Sequence, residues 1–175
     1  MTPSYCLRLC FAVCLLPLSL ATTAAAQEPV LFDGTGPVVF GFQAAPTDDA
    51  IPSTQLVTSD ELAKTLQSAG AKKPLLFEVG PHSLYLQAHI PGSEYLGATS
   101  SDAGRKQLRQ RVKTLPHNTP IVLYCGCCPW SHCPNVHTAY QELQALGFTS
   151  VKVLYIADDF GTDWVDKGYP TAKGE

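Results

Sequence analysis

The chain has 175 residues, which is the length of a single domain and enough to bury an adequate hydrophobic core. Its 12 Lys and Arg residues against 15 Asp and Glu residues give a formal net charge of −3. This mildly acidic balance gives no case for a nucleic-acid-binding protein, because such proteins need a basic surface.

Residues 1–26 have the layout of a secretory signal peptide. Arg8 supplies a positive charge, the apolar block "LCFAVCLLPLSL" follows, and a run of small residues ends at Ala26. The apolar block is too short to span a bilayer comfortably, although an uncleaved anchor is the alternative. We therefore expect a secreted or periplasmic protein without membrane attachment after cleavage.

Residues 27–57 are rich in Gly and Pro and are interpreted as an N-terminal extension with one short strand at 38–42. The pattern becomes regular at Thr58, where residues 58–175 are predicted to form the folded domain. Thr58 and Glu61 have the spacing of a capping box, and Gly70 is expected to end the helix that they begin.

Four apolar runs are predicted to be strands, namely "PLLFEV", "EYLGA", "IVLYC" and "VKVLY". Helical patterns lie between them, in "HSLYLQA", "SDAGRKQLRQRVKTL" and "NVHTAYQELQALGF". Helices that alternate with short, fully apolar strands indicate an α/β fold with a central, mainly parallel sheet flanked by helices. In such sheets, functional sites lie beyond the carboxyl ends of the strands.

The stretch "YCGCCPWSHCPN" follows one of these strands and is dense in cysteine. Removal of residues 1–26 leaves Cys125, Cys127, Cys128 and Cys133, all in this stretch. Disulfides that staple a fold are normally spread along the chain, so clustering favours a site over a scaffold. Cys125 ends the predicted strand, where N–H groups of the loop and of the next helix would stabilise a thiolate.

Three separated stretches together resemble the rhodanese-like sulfurtransferase family. They are "LLFEVG" with "HIPGS", "IVLYC" with its loop and "AYQELQALGF", and "DDFGTDWVDKGYP". The resemblance spans residues 58–170 and implies a single-domain rhodanese-like fold. It places Cys125 at the position of the nucleophile that forms a persulfide. The implied activity needs no cofactor: it takes sulfur from a small sulfane-sulfur donor and passes it to a thiol acceptor.

The same resemblance defines an active-site loop whose amides, from Gly126 to Trp130, are expected to hold the persulfide. The loop residues are Gly126, Cys127, Cys128, Pro129, Trp130, Ser131 and His132. Glu78 stands where the family usually has Asp, and Gly80 stands where it usually has an Arg. Because Gly80 supplies no cation, thiosulfate is a poor candidate donor. Ser131 occupies the position where a cysteine phosphatase needs Arg, which argues against that activity.

Two other uses of the thiols remain open. Cys125, Cys128 and Cys133, with Cys127, His132 or His137 as a fourth ligand, could form a non-enzymatic module for a soft metal ion, copper(I) or another soft metal ahead of zinc. They could instead form a thiol–disulfide redox module, in which Cys128 or Cys133 resolves the bond made by Cys125. Trp164 and His89 are interpreted as structural, the first as a core anchor and the second as a hydrogen-bonded residue of the "HIPGS" turn.

Overall fold

Five short strands form one sheet: β1 (Leu56–Val57), β2 (Leu75–Glu78), β3 (Glu94–Tyr95), β4 (Ile121–Tyr124) and β5 (Val151–Leu154). The computed structural model describes residues 51–70 and 72–175. The strand order is β1-β5-β4-β2-β3, and every neighbouring pair of strands is parallel. The predicted α/β architecture with a mainly parallel sheet is confirmed. The signal peptide and the strand predicted at 38–42 lie outside the described residues.

Four helices connect the strands: α1 (Ser59–Gln67), α2 (His82–Gln87), α3 (Asp102–Val112) and α4 (Pro134–Ala145). Short 3-10 turns lie at Ser53–Gln55 and Trp130–His132, and a π-helical turn lies at Gly161–Val165. None of the helices in the described ranges has the length and apolar character needed to cross a membrane.

Local sequence accounts for the ends of two helices. The Glu61 N–H donates to Thr58 Oγ1 at 3.2 Å and the Thr58 N–H donates to Glu61 Oε2 at 2.9 Å, which confirms the predicted capping box at α1. Gly147 follows α4 with φ of 82°, a left-handed conformation that ends the helix.

Side chains that alternate along β4 build a core on each face of the sheet. Ile121 and Leu123 pack with buried residues of α3 and α4, and Cys125 continues this series beyond the strand. Val122 and Tyr124 point to the opposite face, where α1 and Trp164 pack. The two-residue period of a strand therefore directs the Cys125 side chain toward α4.

Strand β1 was not predicted, because two residues are too few to show a period. The two structural predictions for single residues are confirmed. Trp164 is fully buried and donates from Nε1 to the Pro170 carbonyl at 2.9 Å. His89 is buried with Nδ1 2.9 Å from the Tyr85 carbonyl oxygen, which fixes the turn that follows.

Candidate functional site

Cys125 lies directly after β4, at the carboxyl edge of the sheet, and is only 2% exposed. The Asn135 side-chain amide approaches its sulfur, with Nδ2 3.7 Å from Cys125 Sγ. The Cys127 N–H also faces this sulfur and favours its thiolate form. The strand end thus presents a buried thiol to the first turn of α4 and to its own loop.

The other cysteines of the loop surround this thiol. Cys127 Sγ lies 3.2 Å from Cys125 Sγ and 3.0 Å from Cys128 Sγ. The sulfur atoms of Cys125, Cys127 and Cys133 all lie within 4.8 Å of one another. Each of these four cysteines is a free thiol, but only Cys127 is exposed and Cys128 is partly buried. The structure therefore gathers three thiols into one cluster and leaves one of them open to solvent.

Cys133 is the N-cap residue of α4 and is fully buried. The N–H groups of Asn135 and Val136 lie near its sulfur, although neither makes a complete capping hydrogen bond. Interaction with the Cys125 thiol, against the effect of burial, lowers the pKa of Cys133 below its ordinary range, and the two N–H groups lower it further. The helix N-terminus favours negative charge at this position in the same way.

The pKa of the Cys125 thiol is shifted in the opposite direction to that of Cys133. Its interaction with Cys133, together with burial, raises the pKa of Cys125 above the ordinary range. Burial likewise raises the pKa of Cys128. Of these two thiols, Cys133 is therefore the one whose thiolate form is favoured, and Cys125 the one whose thiolate form is disfavoured.

A buried carboxyl group lies beside the thiol cluster. Glu78 ends β2, is 2% exposed, and neither of its carboxyl oxygens completes a hydrogen bond of good geometry. Burial raises the pKa of Glu78 to about 7, against the effect of the nearby N–H groups of Gly80 and Gly126. Such a group is partly protonated at neutral pH and can accept or return a proton.

Gly80 allows this carboxyl group and the Cys125 thiol to share one space. A Cβ atom at Gly80 would lie 2.5 Å from Cys125 Sγ and 2.7 Å from Glu78 Oε1, both far closer than van der Waals contact. In the sequence, Gly80 stands where the family usually has a cation. The structure adds a steric reason for glycine at this position.

Backbone hydrogen bonds fasten the loop to the segment after β5. The Trp130 N–H donates to the Ile156 carbonyl at 2.9 Å, and the Phe160 N–H donates to the Gly126 carbonyl at 3.4 Å. The expectation that amides up to Trp130 face the sulfur therefore fails for Trp130, whose N–H is already used. Its indole packs against the core and stacks on His137, with ring centroids 6.3 Å apart.

A cavity of about 380 Å³ reaches the loop from outside. Glu78, Gly126 and Cys127 line it, while Leu84 and Phe160 supply apolar walls and Asp159 a further carboxylate. No Lys or Arg is among the described residues that line it. The cavity is therefore partly apolar and acidic, and the thiol exposed beside it is that of Cys127.

The remaining loop residues lie farther out along the loop. Pro129 is partly buried and precedes the 3-10 turn, in which Ser131 and His132 are exposed and contact each other, with Ser131 Oγ 3.0 Å from His132 Nδ1. Sequence reasoning missed Asp163, whose Oδ2 accepts from the N–H groups of Ala157 and Asp158 at 2.7 and 2.8 Å and so shapes the segment that holds the loop. No motif in the sequence marks that contact.

Comparison with known proteins gives matches to the domain and to its fold. The family model described as "Rhodanese-like domain" matches residues 58–155. No curated protein sequence matches the chain significantly. The structure is similar to the Alr3790 protein from Anabaena sp., with a TM-score of 0.52 and 19% identity over 67% of this chain and 82% of that chain.

Two further solved structures have similar folds. Protein BH2092 from Bacillus halodurans aligns with a TM-score of 0.51 and 18% identity, over 67% of this chain and 75% of that chain. The thiosulfate sulfurtransferase from Pseudomonas aeruginosa aligns with a TM-score of 0.50 and 27% identity, over 69% of this chain but only 20% of that chain. At under 25% identity, the Alr3790 and BH2092 likenesses establish the fold alone.

Proposed function

The chain belongs to the rhodanese-like domain family, and on that premise we propose that it is a sulfurtransferase whose Cys125 carries sulfur as a persulfide. The observation that supports this most directly is the position of Cys125 at the carboxyl end of β4, within a cluster of thiols at the N-terminus of α4. The likeness to a protein described as a thiosulfate sulfurtransferase is in line with this activity class.

The first step activates Cys125 within the cluster. Its proton passes to the neighbouring Glu78 carboxylate, and the Cys125 thiolate so formed attacks the outer sulfur of a donor R–S–SH. A new S–S bond forms at Cys125, the S–S bond of the donor breaks, and the thiolate R–S⁻ leaves. The Cys127 N–H and the Asn135 amide, which face Cys125 Sγ, stabilise the Cys125 thiolate before it attacks.

The charge of the cavity selects the donor. Glu78 and Asp159 line it without a compensating Lys or Arg among the described lining residues, so an anion such as thiosulfate is repelled. The apolar wall of Leu84 and Phe160 suits a small organic donor, and a cationic one is favoured. We therefore propose an organic hydropersulfide as the donor class, and cysteamine hydropersulfide should react faster than thiosulfate.

Intact mass spectrometry tests the persulfide. The reduced protein, treated with cysteamine hydropersulfide, is compared with four variants that each carry one Cys→Ser substitution, at Cys125, Cys127, Cys128 or Cys133. Sulfur uptake appears as an adduct of about 32 Da for each persulfide that is retained, or as released sulfide where the persulfide reacts further, and only Cys125→Ser should abolish both. Full uptake by Cys125→Ser would show that another thiol is the nucleophile.

Export is a further part of the proposal. Residues 1–26, which lie outside the described residues, carry the signal-peptide pattern, and cleavage after Ala26 would leave a mature protein in a secreted or periplasmic location. The mass of the full-length gene product recovered from the periplasm tests this directly. A chain that still begins at Met1, or one found only in the cytoplasm, would contradict it.

Binding of a soft metal ion is the second candidate function. The sulfur atoms of Cys125, Cys127 and Cys133 are close enough together for one ion, and thiolates prefer copper(I) or zinc. Metal analysis of protein purified without added metal separates the candidates. A stoichiometric metal that blocks sulfur uptake favours the binding module, whereas metal-free protein that accepts sulfur favours the transferase.

A further inference from the structure

We propose that Cys133 is an internal thiol that reacts with the Cys125 persulfide. It attacks the persulfide, forms a Cys125–Cys133 disulfide and releases sulfide. This inference rests on the proposed persulfide at Cys125. It assigns the domain a further activity, the reduction of sulfane sulfur to hydrogen sulfide. A dithiol reductant is then the partner that restores the two thiols.

The position of Cys133 fits an internal reactant better than an external one. Cys133 is 0% exposed, so a bulky thiol acceptor outside the protein does not reach it, yet its sulfur is within 4.8 Å of Cys125 Sγ. A disulfide needs the two sulfurs about 2 Å apart. The required approach is a small movement of the loop between β4 and α4, which contains the exposed residues Ser131 and His132.

The charges around the site also favour this step. A persulfide anion on Cys125 would be buried beside Glu78, with no Lys or Arg among the described residues that line the adjoining cavity. An uncompensated negative charge in such a place is unfavourable. Loss of the outer sulfur as sulfide removes that charge from the buried site, while the N-terminus of α4 favours the attacking thiolate of Cys133.

The step balances without an external oxidant. The persulfide Cys125–S–S⁻ and the thiol Cys133–SH give the disulfide Cys125–S–S–Cys133 and HS⁻. The bond between the Cys125 sulfur and the outer sulfur breaks, and a bond between the two cysteine sulfurs forms. The outer sulfur takes the electron pair and the proton of Cys133, so the donated sulfur is reduced while the two thiols are oxidised.

Cys127 is the competing internal thiol. Its sulfur is only 3.2 Å from Cys125 Sγ, but a single residue separates the two cysteines in the chain. A disulfide between them closes a small ring whose geometry departs from the preferred one, which makes the bond more reducible. Cys127 is also exposed beside the cavity through which the donor enters, whereas Cys133 is the buried N-cap residue of α4 and does not line that cavity.

A single-turnover experiment tests the inference. The reduced full-length protein, freed of reductant, receives one equivalent of cysteamine hydropersulfide, and both released sulfide and intact mass are measured. The variants are Cys133→Ser and Cys127→Ser, with Cys133→Asn as a second substitution. Ser and Asn are both good N-cap residues, so α4 should be retained, and a urea unfolding curve checks this.

The expected result is one sulfide per protein and a mass about 2 Da below the reduced form for the wild type. The Cys133 variants should release at least about tenfold less sulfide and keep an adduct of about 32 Da. The inference is overturned if the wild type keeps its persulfide, or if the Cys127→Ser variant keeps the adduct and the Cys133 variants do not. Either result leaves the proposed function standing. If no protein takes up sulfur, the proposed function fails and the inference fails with it.

Discussion

Replacement of Glu78 by glutamine should change how the stability of the protein depends on pH. The carboxyl group is buried and its pKa is raised from 4.5 to about 7. Between these pH values the folded protein binds more protons than the unfolded chain, so the free energy of unfolding falls as pH rises. The loss of unfolding free energy that comes from ionising Glu78 is absent well below pH 4.5 and complete above pH 7. At about 1.4 kcal/mol for each pH unit by which the pKa is raised, it reaches about 3 kcal/mol.

Urea unfolding at pH 5 and pH 8, with a reductant present, measures this cost. From pH 5 to pH 8 the wild type should lose about 2.5 kcal/mol of unfolding free energy relative to Glu78→Gln. Cys133, whose pKa is lowered, changes stability in the opposite direction, but it is present in both proteins and its effect largely cancels in the comparison. Equal pH dependence in the two proteins would refute the reasoning that burial raises the pKa of Glu78.

Three further substitutions test the packing around the site. Gly80→Ala should destabilise the protein by about 1–3 kcal/mol and lower sulfur uptake, because the new Cβ would lie 2.5 Å from Cys125 Sγ. Urea unfolding and intact mass measure the two effects, and unchanged stability and uptake would contradict the close contact. Trp164→Ala should cost about 3–5 kcal/mol in the same unfolding assay, because this side chain is fully buried; a cost under about 1 kcal/mol would contradict its role as a core anchor. Tyr124→Phe should cost about 1–3 kcal/mol, because it leaves the buried Ser93 hydroxyl without the partner that lies 2.7 Å away, and a thermal midpoint equal to that of the wild type would contradict this.

Features set by neighbouring residues could be predicted from the sequence. The capping box of α1 depends on Thr58 and Glu61 alone, and the run "IVLYC" is apolar on both faces because β4 is the central strand. The position of Cys125 at the end of β4 follows directly from that run. The domain family was predictable because three motifs stand in the right order along the chain, and a match to residues 58–155 confirms it.

Features set by contacts across the fold could not be predicted in the same way. Gly80 and Cys125 are distant in sequence, and only the parallel pairing of β2 with β4 brings the thiol and the Glu78 carboxyl group together. The role of Cys133 as N-cap, in contrast, has a local signal in the sequence. Pro134 directly after it is a typical first helical residue, and this indicates that α4 begins one residue earlier than the predicted start near Asn135.

The two outer strands of the sheet bear on how the protein behaves at high concentration. Strands β1 and β3 have two residues each, so within the described ranges each sheet edge leaves few backbone N–H and C=O groups free for another strand. Proteins with long, flat edges are prone to edge-to-edge aggregation, and very short edge strands oppose it. Pairing of edge strands between two molecules would therefore form few hydrogen bonds. The exposed Cys127 thiol is the more reactive site for contact between two molecules.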